Sequence, residues 1–425
     1  MYMHEKILGD YLDKICIFED IYYENFLPLT YSRPVFELRC GFKSLREKIE
    51  YFFPNSKKYL MMRDYLKSPF SNTGLIYDRS VEGNILFING RIILKERPDI
   101  KEEGIYYFDN EIAFIYFKEK SLNLADISGF NDIEKLKDIG LKEFKISNIK
   151  LIKYPWDLIK ENSNEIKREF LIHNKDNSTK AQDIVIMGDE KLVHLGKNVK
   201  TESNIVFDVR KGPIYIGDNT EIRAFSRIAG PTYIGKNCLI KSGRIQDCSI
   251  GDVCKIGGEI EDSIFHGYSN KQHYGFIGHA YIGEWVNLGA GTSNSDLKDT
   301  YGTIKYKIGG TVIDSGEQFF GCVIGDNTKS SIGTLIYTGK KIGFAAHIYG
   351  IITDDIPSFC IWAKSLNASP SELFLDSAIS IYSRAAERRG VTLTKEYANL
   401  MKSIFEFTKD ERKGLGINPI KFCLK

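Results

Sequence analysis

The chain has 425 residues, which predicts two or three domains that each bury a core of their own. It is 43% hydrophobic and 27% charged, with a net charge of +2 and no block of like charges. This balance argues against a nucleic-acid partner and against a basic membrane-binding patch. No apolar run approaches the roughly 20 residues of a membrane span, and MYMHEKILGDYLDK lacks the apolar centre of a signal peptide, so a cytoplasmic protein is expected. The eight cysteines include no CxxC pair and no zinc-ligand spacing, which predicts buried reduced thiols.

The first part of the chain, residues 1–180, alternates short apolar runs with amphipathic ones. This alternation predicts a Rossmann-like α/β domain with a parallel or mixed sheet, whose ligands bind at the carboxyl ends of the strands. The predicted strands are ICIF (Ile15–Phe18), ILFI (Ile85–Ile88) and IAFIYF (Ile112–Phe117), and the predicted helices are Phe42–Phe53 and Asn131–Ile139. The polar, aperiodic segment KDNSTK (Lys175–Lys180) predicts the linker to the next domain.

A long loop, EDIYYENFLPLTYSRPVFELRCG (Glu19–Gly41), follows the first predicted strand. It contains Arg33 and Arg39, and a guanidinium group binds phosphate through two parallel hydrogen bonds. The alternative is that these arginines form ion pairs within the fold, for example with Glu37. Both interpretations are open from the residues alone.

A six-residue period marks the next part of the chain. Isoleucines recur every six residues from Ile216 to Ile240 without a miss, and the phase returns as far as Ile348. A period of six residues matches neither the 3.6-residue period of a helix nor the two-residue alternation of a strand. An aliphatic residue followed by turn residues predicts a short strand and then a corner. Repetition of this unit predicts a parallel β-helix over residues 181–362. Two stretches, Phe265–Phe276 and Ser293–Phe319, break the period and are predicted to project from the ligand-binding face.

A helical tail is expected over residues 363–425, since Ser371–Phe407 carries two helical patterns. Such a tail is expected to pack on the end of the solenoid or on a neighbouring subunit. Its arginines, Arg384, Arg388 and Arg389, are interpreted as a solvated helix face, with a contact to a coenzyme A phosphate as the alternative.

The segment HYGFIGHAYIGEWVNLGAGT (His273–Thr292) resembles the acetyltransferase part of the bifunctional UDP-N-acetylglucosamine pyrophosphorylase/glucosamine-1-phosphate acetyltransferase family, which has H-x-x-Y followed by V-N-[IL]-G-A-G-T. The whole chain is similar to a variant branch of sugar nucleotidyltransferases, through NxLPLTYxRPV, GYSNK and NLGAGT in this order. The resemblance implies a left-handed β-helix, an exception to right-handed crossover connections. It also implies a homotrimer with acetyl-CoA bound between subunits.

The same resemblance assigns roles in the solenoid. It places His273 at the general base, which suits an imidazole that titrates near neutrality. The residues implied to contact the sugar phosphate are Lys271, Glu259 and Asn287, and those implied to contact acetyl-CoA are Ala290, Gly291 and Cys322. Phe276 departs from the family pattern, which has Tyr there, and His279 stands where the family has Asp.

In the N-terminal part, LPLT (Leu27–Thr30) and Arg33-Pro34 resemble the nucleotidyltransferase signature, whereas the GxGTR turn is missing and Val35 replaces a lysine. The resemblance implies Arg33 as a catalytic cation and Thr30, Arg39 and Asn89 as substrate contacts, although the family has a metal-binding Asp at the position of Asn89. Asp20 and Asp157 are the remaining candidates for binding Mg²⁺, which neutralises phosphate charge during nucleotidyl transfer.

The leading hypothesis is an enzyme of activated amino-sugar synthesis that acetylates a hexosamine 1-phosphate and joins it to a nucleotide. Its partners would be a sugar phosphate, a nucleoside triphosphate and acetyl-CoA. One alternative is a nucleotidyltransferase for another sugar, with the β-helix as a trimer scaffold. Another is a regulatory protein that binds a sugar nucleotide without turnover, because the GxGTR turn is missing.

Overall fold

The structure is a computed structural model, and it describes residues 12–70, 80–81, 83–118, 122–123, 140–173, 184–420 and 422. The chain divides into two compact units. The first contains residues 1–23, 34–37 and 43–153, and the second contains residues 24–33, 38–42 and 154–425. Residues 154–173 and the helical tail are therefore grouped with the solenoid. The predicted helix Asn131–Ile139 and the predicted linker Lys175–Lys180 lie outside the described residues.

The first unit is built on a six-stranded mixed sheet, in the order β6-β4-β5-β3-β1-β2. Its strands are β1 (Lys14–Phe18), β2 (Lys57–Met61), β3 (Ile85–Asn89), β4 (Gly104–Phe108), β5 (Glu111–Phe117) and β6 (Glu143–Lys145). Strand β1 pairs in parallel with β2 and β3, whereas β5 is antiparallel to β3 and β4. Every residue of β3 is buried, because the strand lies inside the sheet. The predicted mixed α/β domain is confirmed.

Two helices of this unit connect its strands. Helix α1 (Leu45–Phe52) begins at Ser44, whose hydroxyl accepts from the backbone of Glu47 while the Glu47 carboxylate accepts from the backbone of Ser44. This reciprocal capping satisfies two backbone donors and fixes the start of the helix predicted over Phe42–Phe53. Helix α2 (Asp64–Phe70) follows β2.

The second unit is a parallel β-helix, as predicted. One of its sheets contains eight parallel strands stacked in chain order. These strands are Val193–Leu195, Ile214–Ile216, Thr232–Ile234, Ser249–Ile250, Ile264–Gly267, Tyr281–Glu284, Cys322–Ile324 and Lys340–Ile342. A further sheet of the β-helix contains Ile184–Met187, Lys200–Thr201, Ile205–Asp208, Glu221–Ile222, Ser226–Ala229, Leu239–Gln246, Lys255–Glu261, Asn270–Lys271 and Phe276–Gly278.

Later coils are completed by two short stacks of strands. These strands are Ser293–Asn294, Leu335–Ile336, Ile351–Ile352, Lys329–Ser330, His347–Ile348, Cys360–Trp362 and Ser371–Glu372. The repeating isoleucines from Ile216 to Ile240 are fully buried and form one continuous core along the solenoid. Neighbouring coils approach so closely at Gly217 that an added Cβ would lie 2.6 Å from the carbonyl carbon of Gly235. Only glycine tolerates this contact.

The two predicted breaks of the period have different outcomes. Ser293–Phe319 does contain an insertion, the antiparallel hairpin Lys305–Ile308 and Thr311–Asp314. The expected insertion at Phe265–Phe276 is wrong, because this segment is a regular coil. Lys271 pairs with Ile256 of the preceding coil and is fully buried, so a lysine takes the position that isoleucine has in the coil before it.

The helices of the second unit are α3 (Pro155–His173), α4 (Leu375–Glu387), α5 (Lys395–Phe407) and α6 (Lys409–Gly414). The predicted helical tail is confirmed, and it packs on the solenoid where Tyr382 of α4 contacts Trp285 edge-on, 5.3 Å between ring centroids. The seven described cysteines are buried and free of disulfide bonds. Within the described residues, no helix is both long and apolar enough to cross a membrane.

Candidate functional site

His273 lies on an exposed corner of the solenoid, between the strands Asn270–Lys271 and Phe276–Gly278. The corner is anchored to the coils on either side of it. The amide of Glu259 donates to the carbonyl of Gly275 (3.1 Å), and the amide of Gly291 donates to the carbonyl of Tyr274 (3.0 Å). The imidazole therefore projects from a backbone that is fixed on both sides.

The buried side chain of Lys271 holds this corner from inside. Its ammonium donates to the carbonyl of His273 (2.5 Å) and to the carbonyl of Tyr274 (3.0 Å). Burial lowers the pKa of Lys271 to about 8, since the ammonium has left water without gaining a carboxylate. The predicted contact between Lys271 and a sugar phosphate is not what this geometry favours. The lysine instead satisfies two carbonyl groups and positions the segment that carries His273.

The NLGAGT turn stacks directly on the His273 corner. Gly291 has a positive φ of 76°, and a Cβ there would lie 3.0 Å from the Tyr274 hydroxyl. The carbonyl of Ala290 accepts from the amide of Gly333 (2.7 Å), which ties the turn to the following coil. Ala290 and Gly291 thus provide small, partly exposed backbone next to His273, as a close approach of a ligand requires.

The other solenoid residues predicted for the site fall into two groups. Glu259 is exposed, pairs in register with Phe276, and lies 3.5 Å from the guanidinium of Arg244. Asn287 is exposed, and its carbonyl oxygen accepts from the amide of Asn270 (3.3 Å). Cys322 is fully buried in the solenoid core, and burial raises the pKa of its thiol to about 12. A cofactor contact through this thiol is disfavoured, because the side chain packs in the core.

His279 forms an ion pair that its sequence position did not predict. Its Nδ1 lies 2.8 Å from Oδ2 of Asp296, and its Nε2 lies 3.7 Å from Asp262. Burial opposes the charged imidazole, but the hydrogen bond to Asp296 and the two carboxylate charges outweigh it and raise the pKa of His279. The ring also stacks on Phe319 of the insertion, 5.2 Å between centroids. His279 therefore ties the insertion to the coil.

In the first unit, polar residues meet at the carboxyl ends of β1 and β3. The amide of Asn89 donates to Asp20 (2.9 Å), and Arg91 donates to both oxygens of the same carboxylate, at 2.6 to 3.0 Å. Arg91 is fully buried and also pairs with Glu111 (2.5 Å). Sequence reasoning found Asp20 and Asn89 but missed Arg91, whose only signal is its position directly after Asn89-Gly90 at the end of a strand.

The part of the predicted phosphate-binding loop that carries Arg33 belongs to the second unit. Arg33 is buried and donates to Asp326 (2.5 Å) and to Glu284 (3.1 Å). The hydroxyl of Ser32 donates to the same Asp326 carboxylate (2.6 Å). Burial acts against the charge of Arg33, but the two carboxylates raise its pKa above the ordinary range. This supports the ion-pair interpretation, with Asp326 and Glu284 in place of the suggested Glu37, which pairs with Arg46.

Thr30 and Arg39, the other predicted contacts of this loop, also pack within the second unit. Thr30 is fully buried. The guanidinium of Arg39 donates to the carbonyl of His266 (3.3 Å), and its backbone amide donates to the hydroxyl of Tyr281 (2.7 Å). These contacts fix the loop to the solenoid and favour an anchoring role.

The two predicted metal ligands have other partners. Asp20 is engaged by Arg91, a positive charge that occupies the place of a cation. The carboxylate of Asp157 accepts from the amide of Tyr154 (3.0 Å) at the start of α3, which is a helix-capping role. Among the residues that the structure describes, no group of three or more His, Cys, Asp or Glu side chains is placed to hold a metal ion. Neither residue fits an Mg²⁺ site here.

Residues 15–178 match the sequence model of the family described as Sugar nucleotidyl transferase. The match covers less than half of the chain. The chain is also similar to relatives whose names describe bifunctional proteins, so the predicted relationship is confirmed.

Two relatives show the extent of the similarity. The bifunctional sugar-1-phosphate nucleotidylyltransferase/acetyltransferase of Sulfurisphaera tokodaii is 29% identical over 271 residues, which cover 60% of this chain and 60% of that protein. Bifunctional protein GlmU of Methanococcus aeolicus is 26% identical over 284 residues, 60% of this chain and 58% of that protein. The chain thus spans about three fifths of the length of these relatives. A solved UDP-N-acetylglucosamine acyltransferase from Francisella novicida matches 55% of this chain and 84% of its own at 18% identity, but its TM-score of 0.28 is too low to support an argument.

We predict that Arg33 stabilises the fold of the second unit. Arg33→Met leaves the buried Asp326 without its cation, and the expected loss is about 3–5 kcal/mol in the free energy of unfolding, measured by urea denaturation. The control is Arg210→Met, which breaks an arginine–aspartate pair whose arginine side chain is 58% exposed, so the loss of stability should be much smaller than for Arg33→Met. A small loss in both variants would contradict the anchoring role.

We predict that the His279–Asp296 pair makes stability depend on pH. The pKa of His279 is raised above its ordinary 6.5, so the pair contributes its full stability below that pH and loses it as the pH rises through the folded-state pKa. His279→Gln should therefore lower the melting temperature more at pH 6 than at pH 9, as measured by circular dichroism. An equal decrease at both pH values would show that the imidazole is not charged in the folded protein.

Proposed function

We propose that the solenoid transfers an acetyl group from acetyl-CoA to the amino group of a hexosamine 1-phosphate, with His273 as the general base. The observation that supports this most directly is an exposed imidazole on a corner held by Lys271 and stacked on the partly exposed backbone of Ala290 and Gly291. A general base must be both accessible and fixed in direction, and this corner provides both properties.

The reaction follows from this placement. The sugar nitrogen attacks the thioester carbonyl carbon while His273 takes the proton that the nitrogen loses. A carbon–nitrogen bond forms, the carbon–sulfur bond breaks, and the coenzyme A thiolate leaves and is protonated. Glu259 and Asn287 are exposed next to the corner and are proposed to contact the sugar. Phe276 provides an aromatic wall in register with Glu259, without a hydroxyl group.

We infer that the first unit acts on the same class of substrate, by joining a sugar 1-phosphate to a nucleotide with release of pyrophosphate. The family match over residues 15–178 and the names of the relatives support this second activity. A UDP-N-acetylglucosamine-type product belongs to the proposal, and so does the use of Mg²⁺, bound by groups other than Asp20 and Asp157. A homotrimer and a cytoplasmic location complete it, since the proposed co-substrates are cytoplasmic metabolites.

The acetyl-transfer proposal predicts release of free coenzyme A when the protein is mixed with glucosamine 1-phosphate and acetyl-CoA. His273→Ala should lower kcat by about 100-fold or more, because general-base catalysis contributes a factor of this order. The thiol is measured with a chromogenic disulfide reagent. The control is His194→Ala, at a partly exposed histidine near the beginning of the solenoid, which should retain activity. Equal rates for wild type and His273→Ala would reject His273 as the base, and an active monomer by light scattering would reject a site between subunits.

The nucleotidyl-transfer proposal predicts release of pyrophosphate from a nucleoside triphosphate and a sugar 1-phosphate in the presence of Mg²⁺. N-acetylglucosamine 1-phosphate with UTP is the first pair to test, followed by other sugars and nucleotides, with an enzyme-coupled pyrophosphate assay. Binding of a sugar nucleotide without any pyrophosphate release would contradict this activity and favour a regulatory protein. The ion pair between Arg91 and Asp20 makes this outcome physically reasonable.

A further inference from the structure

A cavity of about 410 Å³ lies between the solenoid and helix α4, within the second unit. The solenoid side of the cavity contains Tyr268, Trp285 and Lys329, and the helical side contains Arg384 and Arg388. Cavities of this size are typical of small-molecule sites. The proposed acetyl transfer uses only Asn287 among the residues that line it.

The charged lining of this cavity is entirely cationic. Its charged residues are Lys329, Arg384, Arg388 and Arg389. Across the continuously described stretch 184–420, none of these four has a carboxylate within ion-pair distance, whereas Arg223 on the same solenoid pairs with Glu202 and Glu221. Four cations gathered without an ion-paired carboxylate repel one another, and a bound anion would lower that cost.

The pKa directions show the same excess of positive charge. Burial lowers the pKa of Arg389, and the charge of Arg388 lowers it further. Burial also lowers the pKa of Lys255 on the neighbouring coil, again with added repulsion from Arg389 and Arg388. The pKa of Lys329 falls to about 8 through burial, opposed only in part by Asp326.

One hydrogen-bond donor in the cavity is buried and unused. The Nε–H of Arg389 has no acceptor among the described residues, although its terminal nitrogen donates to the side-chain oxygen of Asn270 (2.5 Å). A buried donor without an acceptor costs on the order of 1–3 kcal/mol, and such groups are rare in native proteins. Asn270 thus fixes the orientation of the Arg389 guanidinium, whose Nε–H can still donate a hydrogen bond to a ligand.

The wall beside these cations is aromatic. Tyr268 and Trp285 stack with 4.4 Å between ring centroids, and Tyr382 of α4 lies edge-on to Trp285. A ligand with a phosphate group at the arginines would place its remaining atoms along this apolar surface. The combination of cations and aromatic rings is suited to a nucleotide rather than to a free inorganic anion.

We propose that this cavity is a binding site for a small molecule that contains a nucleoside diphosphate, with the diphosphate at Arg388 and Arg389. Coenzyme A and UDP-sugars share this chemistry. The inference does not depend on acetyl transfer, since the site is defined by binding, and His273 is not among the residues that line it.

Calorimetric titration of the full chain tests the proposal without any turnover. Coenzyme A, UDP-N-acetylglucosamine and pyrophosphate are titrated separately, in the absence of the second substrate. The double variant Arg388→Gln/Arg389→Gln should weaken binding of at least one of the first two ligands by about tenfold or more, because each arginine contributes charge-assisted hydrogen bonds. The affinity should also fall as salt is added. Which ligand responds identifies the source of the nucleoside diphosphate.

The matched control is Arg210→Gln/Arg223→Gln, which removes the same charge from exposed positions elsewhere on the solenoid. It should change the affinity by less than about twofold if binding is local to the cavity, since charges beyond a Debye length are screened. Melting temperatures of both variants establish that each is folded. Equal weakening in both double variants would overturn the proposal, and so would the absence of cavity-dependent binding for both nucleoside diphosphates, whether or not pyrophosphate binds.

Discussion

The stacking of one coil on the next is the constraint on which the second unit depends. Each strand pairs in parallel with its equivalent in the neighbouring coil, so a residue in one coil is held in register with the residues above and below it. Isoleucines from Ile216 to Ile240 fill the interior, and their burial drives the stacking. Because each coil is held in register with the next, side chains far apart in sequence occupy defined neighbouring positions. The position of the His273 corner is fixed in the same way.

The polar side chain of Lys271 interrupts the aliphatic interior of the solenoid. Lys271 takes a position that Ile256 has in the preceding coil, and a buried ammonium is costly unless it is hydrogen-bonded. Its two carbonyl acceptors lie in the corner that carries His273. The lysine therefore contributes less hydrophobic stabilisation than an isoleucine would, but its hydrogen bonds fix the backbone of this corner. Such an exchange is expected where a side chain must point in one direction.

Two charged residues that the resemblance to nucleotidyltransferases assigned to catalysis or metal binding, Arg33 and Asp20, form ion pairs in the structure. Arg33, at the position implied for a catalytic cation, is neutralised by Asp326 and Glu284 of the solenoid. Asp20, a candidate metal ligand, is neutralised by Arg91. In both cases a charge that phosphate or metal would need already has a counter-charge. Beside helix α4, in contrast, Arg388 and Arg389 have no carboxylate partner in the stretch 184–420.

The sequence by itself determined the elements with a local period, namely the strand predicted at Ile15–Phe18 and the solenoid with its isoleucine spacing, and it placed His273 within a recognisable motif. The period of hydrophobic residues is a local property of the chain, so it can be recognised from the sequence without knowledge of the fold. The tertiary structure alone decided the partners of charged groups, because those partners are distant in the chain. Arg33 and Asp326 are 293 residues apart, and Lys271 looked like part of an insertion until its register with Ile256 placed it inside the solenoid.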